Sequence, residues 1–185
     1  MTHLRHVMTL AGALGCGPLV FGSPRNRLKG ERSFAQARDA AIGIFREIGD
    51  VAAETNTVFC LEANARAYGC DFMTVLAEVV EVVAAVEHPA VRLVVDTGNM
   101  ALEGEAPRAA AVAAPFAAHF HMSAPELAPI HTHTSFIGRV LTELRRGGFD
   151  GVATVEMRAG DGPEAQDGLL ASVRAASGLL HEATA

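Results

Sequence analysis

Four residues able to hold a metal ion or carry a proton, Glu62, Asp96, His121 and Glu156, each follow a short apolar run. The runs are Val58-Phe59-Cys60-Leu61, Leu93-Val94-Val95, Ala117-Ala118-His119-Phe120 and Val152-Ala153-Thr154-Val155. The separations of 34, 25 and 35 residues are close to one strand-plus-helix unit, since a closed parallel barrel uses about 250 residues for eight units. Parallel strands end at one face, so repetition at this spacing gathers the four side chains there. Three carboxylates buried together are costly without a cation. With one imidazole they form a donor set suited to Mn²⁺, Mg²⁺ or Zn²⁺.

The intervening segments fit such a repeat. A helix over about 3–14 leads to a strand at 19–22 and a loop rich in Arg, Gly and Lys. Ser33 and Gln36 have capping-box spacing, opening a helix whose face carries Phe34, Ala37, Ala41, Ile44, Phe45, Ile48 and Val51. Asp71 is expected to cap the next helix, with Phe72, Val75, Leu76, Val79, Val83 and Val86 inward. Further helices are expected at 107–114, 135–146 and 165–181, and further strands at 91–95, 117–121 and 151–155. Alternation of this kind implies a parallel sheet covered by helices. A doubly wound sheet would carry a glycine-rich phosphate turn after its first strand. Gly12-Ala13-Leu14-Gly15-Cys16-Gly17 precedes a strand instead.

The 185 residues are expected to form a single domain, 1–185, of five βα units, too few to close an eight-stranded barrel. A net charge of −6 gives no broad footprint for nucleic acid. Three cysteines without paired metal-finger spacing read as reduced thiols, and the expected location is the cytoplasm. Arg5 and His6 before Val7 to Leu14 imitate a signal peptide, but Leu4, Val7, Leu10, Ala11 and Leu14 follow helical periodicity. No apolar run reaches the roughly 20 residues of a membrane span.

Five stretches carry a family resemblance: Val20-Phe21-Gly22-Ser23-Pro24-Arg25-Asn26-Arg27; Leu61-Glu62-Ala63-Asn64-Ala65-Arg66 with Tyr68-Gly69-Cys70-Asp71-Phe72; Val95-Asp96-Thr97-Gly98-Asn99-Met100; His119-Phe120-His121-Met122-Ser123; and Val155-Glu156-Met157-Arg158. Together they resemble the xylose-isomerase-like TIM-barrel superfamily, and most of all its sugar phosphate isomerase/epimerases. The likeness covers nearly the whole chain as the C-terminal five-eighths of that barrel, and so implies a partial (β/α)8 TIM barrel of the α/β class, N-terminally truncated with its first three units missing.

The resemblance implies that Glu62, Asp96, His121 and Glu156 bind one divalent ion, typically Mn²⁺, with Mg²⁺, Co²⁺ or Zn²⁺ as substitutes. Glu62 and Glu156 would also act as catalytic acid and base on a small keto sugar, through a metal-stabilised enediolate. Asn64, Arg66, Asn99, Arg25 and Arg158 are substrate-binding candidates, and His119 and His133 are candidates for a supporting layer. His131 and His133 form a His-Thr-His loop that could approach the metal. Asn99 stands where the epimerase pattern has a histidine, and the arginine usual after the metal histidine is absent from 122–129. The alternatives are a metal-dependent lyase or dehydratase on an inositol-like ketone, a catalytically silent fragment, and an endonuclease IV-like zinc phosphodiesterase. The expected partner is a small sugar, with neither nucleic acid nor membrane, and a homo-oligomer is one way to cover the open barrel edge.

Overall fold

Five parallel strands lie in the order in which they occur along the chain: β1 (Pro18–Phe21), β2 (Val58–Glu62), β3 (Val91–Asp96), β4 (Ala117–Ser123) and β5 (Val152–Glu156). The order never reverses, which excludes a doubly wound sheet, and the strands curl into a half-barrel. The computed structural model describes residues 1–182. The helices are α1 (Thr2–Ala13), α2 (Phe34–Glu54), α3 (Leu76–Val86), α4 (Thr97–Leu102), α5 (Ala109–Ala113), α6 (Thr134–Arg146) and α7 (Glu164–Glu182). None of these is long and apolar enough to cross a membrane.

Strand parity divides the sheet into two faces. Phe21, Leu61 and Leu93 are cross-strand neighbours, as are Leu19 and Phe59, and this set turns toward the helices. Phe21, Phe45 and Phe59 meet there, with ring centroids 5.4 to 6.3 Å apart. Ile48, Val51 and Ala52 of α2 and Leu76, Val79, Val82 and Val86 of α3 extend that core. Each large side chain so buried contributes about 1.5–3 kcal/mol. Glu62, Asp96, His121 and Glu156 occupy the opposite, concave face.

Local signals set most element boundaries. The Ser33–Gln36 capping box forms as expected at the start of α2. Two expectations differ from the structure. Helix α3 begins at Leu76 rather than at Asp71, and Asp71 instead accepts the backbone N–H groups of Lys29 and Gly30 (2.6 and 3.2 Å). The first-turn N–H of Leu76 finds its acceptor far along the chain, in the carboxylate of Glu105. The short helix α4, directly after Asp96, was not expected; it forms because the Asp96 side chain caps it, accepting the N–H of Asn99 at 2.6 Å.

Candidate metal centre

Glu62, Asp96 and Glu156 are the last residues of β2, β3 and β5, and His121 lies two residues before the end of β4. One donor atom from each lies within 4.8 Å of every other. His121 Nδ1 is 3.0 Å from Glu62 Oε1, 3.0 Å from Glu156 Oε2 and 3.6 Å from Asp96 Oδ2. Glu62, Asp96 and His121 are buried, whereas the Glu156 side chain is 45% exposed at the mouth.

This donor set fits a divalent cation. Despite their proximity, the buried Glu62 Oε1 and His121 Nδ1 make no hydrogen bond of acceptable geometry. Their closeness is therefore electrostatic rather than aligned, and it leaves a buried carboxylate oxygen and a buried ring nitrogen without hydrogen-bond partners. Burial alone would keep His121 neutral, yet the surrounding Asp96, Glu156 and Glu62 overcome it and push the imidazole up to about 11. The cluster thus favours a positive charge among its carboxylates, which a divalent ion could supply with the imidazole neutral.

Neighbouring residues fix the orientation of the four. Asn64 Nδ2 donates to Glu62 Oε2 at 2.9 Å. Asn99 donates to Asp96 Oδ1 through both its backbone N–H (2.6 Å) and its amide (2.9 Å), and accepts the N–H of Ala65 at 2.8 Å. Ser123 Oγ donates to Asp96 Oδ2 at 2.7 Å and accepts the Gly98 N–H at 2.7 Å. Thr97 Oγ1 in turn donates to the Ser123 carbonyl at 2.6 Å. Ser123, Thr97 and Gly22 were not assigned roles from sequence. Ser123 was findable, because residues two apart on a strand share a face with His121.

A cavity of about 280 Å³ opens on the cluster. It is lined by Glu62, Asp96 and Glu156, by Asn64, Asn99 and Ser123, and at its rim by Pro24, Tyr68, Leu127 and Arg158. Burial pushes the Tyr68 phenol up, and the charges of Asp96, Glu126 and Glu156 act in the same direction. A larger groove of about 760 Å³ between α6 and α7 assembles no comparable donor set.

Three candidates from the sequence lie elsewhere. Arg66 pairs with Glu103 and does not line the cavity. Arg25 is exposed on the turn after β1, beside Gly69. His133 bonds Thr132, and His131 bonds the buried Ser172 of α7 at 3.1 Å, so the His-Thr-His loop anchors a helix instead of approaching the cluster. His119 lies one layer deeper on the concave face, edge-on to His121 at 5.1 Å and bonded to Thr154 at 3.0 Å. Burial and the charge of His121 lower its basicity.

The family profile described as xylose isomerase-like TIM barrel matches residues 1–176. No curated protein matches the chain significantly. Among solved structures, D-psicose 3-epimerase from Clostridium cellulolyticum H10 superposes with a TM-score of 0.71 at 16% identity, over 99% of this chain and 68% of that one. The 3-keto-D-glucoside 4-epimerase of E. coli gives 0.73 at 17% identity, over 95% and 70%. The protein IOLI, in a structure with a bound zinc atom, gives 0.67 at 16%, over 98% and 69%. At these identities the likeness is one of fold.

Proposed function

Because the chain belongs to the xylose isomerase-like TIM-barrel family, we propose that it is a divalent-metal-dependent isomerase or epimerase of a small keto sugar or sugar derivative. The observation that carries this reading is the convergence of Glu62, Asp96, His121 and Glu156 within 4.8 Å at the end of the half-barrel. These four would hold the ion; Mn²⁺ suits an oxygen-rich set with one imidazole. When bound, the ion polarises the substrate's oxygens and so acidifies the C–H beside its carbonyl.

The protein's own groups divide the remaining work. Glu62 is buried and held by Asn64, which gives it a fixed direction. Glu156, partly exposed and without an aligned hydrogen bond, is freer to exchange a proton with solvent. One takes a proton from the carbon beside the carbonyl, and the other returns one to the opposite face or to the neighbouring carbon. Asn99 and Ser123 keep Asp96 oriented while this happens. Asn64, Asn99 and Arg158 line the cavity and offer hydrogen bonds to hydroxyl groups.

The test is deuterium uptake from D₂O into the carbon beside the carbonyl of D-fructose, with Mn²⁺ supplied. Wild type is expected to incorporate deuterium. Glu156→Gln preserves volume but cannot accept a proton, so exchange should fall by about 10²–10⁴-fold with the circular dichroism spectrum unchanged. Exchange retained in that variant would remove Glu156 from the acid–base pair.

A further inference from the structure

The segment between β4 and α6 forms a strap that borders the cavity, lining it with Ala124 and Leu127. Its turn, Pro125–Leu127, holds two consecutive non-glycine residues in the left-handed region, Glu126 at φ 58° and Leu127 at φ 59°. Such a pair costs about 1–2 kcal/mol per residue and persists only where surrounding contacts impose it. Two hydrogen bonds do so, one from each wall. The Glu126 N–H donates to Tyr68 Oη at 3.1 Å, from the loop after β2. The Arg158 N–H donates to the Leu127 carbonyl at 2.8 Å, from the loop after β5. Tyr68, Leu127 and Arg158 all line the cavity.

Tyr68 is half-committed in this arrangement. Its oxygen accepts from the strap, and its own O–H proton has no acceptor among the described residues. The Arg158 guanidinium likewise makes no ion pair among them. Both residues bond adjacent residues of the strap and line the same cavity as a cluster composed almost wholly of acceptors. A substrate whose oxygens engage the carboxylates therefore meets these two donors within the same cavity.

We propose that Tyr68 is a substrate-contacting and specificity-determining residue, whose O–H donates to a distal hydroxyl or ring oxygen of the sugar while its oxygen holds the strap. This rests on the sugar-binding reading above. A substrate with a hydroxyl at that position gains the hydrogen bond; its deoxy analogue forfeits it.

Tyr68 is the single tyrosine of a chain without tryptophan, so ultraviolet absorption and emission report on it alone. The experiment titrates the Mn²⁺-supplied protein with D-fructose and follows the phenol difference spectrum between 275 and 295 nm (roughly its long-wavelength band), alongside calorimetric binding. The expected result is a saturable red shift with the same half-saturation as the heat signal. In Tyr68→Phe, KM should rise about tenfold, equivalent to about 1.4 kcal/mol, with a smaller change in kcat. Calorimetric binding with a silent phenol spectrum overturns the contact and leaves the sugar reading intact. The absence of any ketose binding, with Mn²⁺ bound, overturns both. An unaltered KM in a folded Tyr68→Phe protein overturns the specificity role.

Discussion

Gly22 has no side chain because Glu62 occupies the space. A Cβ built there would lie 2.5 Å from Glu62 Oε2, closer than real contacts allow. Gly22→Ala must push the carboxylate out of the cluster, so Mn²⁺ affinity should fall by at least about tenfold, the effect of disturbing a ligand's support. Equilibrium dialysis measures it, and an unchanged affinity would show that Glu62 does not contribute as placed. The unfolding midpoint of the metal-free protein should move little, because the displaced atom is the end of a flexible side chain. At this scale the sequence was informative about identities and poor about partners. Glu62, Asp96, His121 and Glu156 were legible because each follows an apolar run, and Asn64 because it lies just past the end of β2. The pairings of Arg66 with Glu103 and of His131 with Ser172 were not, because their partners are 37 and 41 residues away. The face of Ser123 was legible from its spacing to His121, but its bonds to Asp96, Thr97 and Gly98, 25 to 27 residues away, were not.

Helix α3 shows how an element boundary is decided by distant chemistry. Asp71 looked like its cap but is used to bind the loop after β1, and the start of α3 is served by Glu105 instead. Burial raises the carboxyl of Glu105, only partly offset by the Leu76 N–H that it accepts, and Glu103 and Glu78 add repulsion. The sign follows directly. A carboxyl raised on folding contributes stability below its unfolded value near 4.5, and that contribution is lost as pH rises through the higher folded value. At neutral pH, ionised Glu105 is therefore a liability. Glu105→Gln keeps an acceptor for Leu76 without the charge, so it should be at least as stable as wild type at pH 7 and should lose its advantage below pH 4.5. Urea unfolding at both pH values tests this; a clear loss of stability at pH 7 would mean that the negative charge at the helix start outweighs burial. The loop before α3 also contains Met73, buried with φ 57°, whose carbonyl accepts the Asn64 N–H at 3.1 Å. Strain there is spent on fixing the backbone of a residue that holds Glu62.

For the whole molecule, the candidate metal centre is a joint property of four strands. A ligand that binds the folded state alone stabilises it by about 2.7 kcal/mol at one hundred times its dissociation constant. For a chain of this size, that raises the melting temperature by roughly 5–10 °C. Added Mn²⁺ should produce this shift and a chelator should reverse it; identical melting with and without the ion would argue against a centre shared by β2, β3, β4 and β5.

What the sequence by itself determined is the periodicity: apolar runs long enough for parallel strands, helical stretches between them, and one acidic or imidazole residue at each of four strand ends. Those are local properties, written in the spacing of residues that touch along one element. What only the tertiary structure decided is that the four side chains meet. Register pairs Glu62 with Val94, Val94 with His119 and His119 with Val152, so Glu156 lies four residues further along β5 than the position level with Glu62. In a flat sheet that offset would separate the two glutamates by more than 10 Å, at about 3.3 Å per residue. Strand tilt and stagger in a curled sheet cancel it. The geometry of curvature, set by packing of helices against one face of the sheet, turns four strand ends into one site.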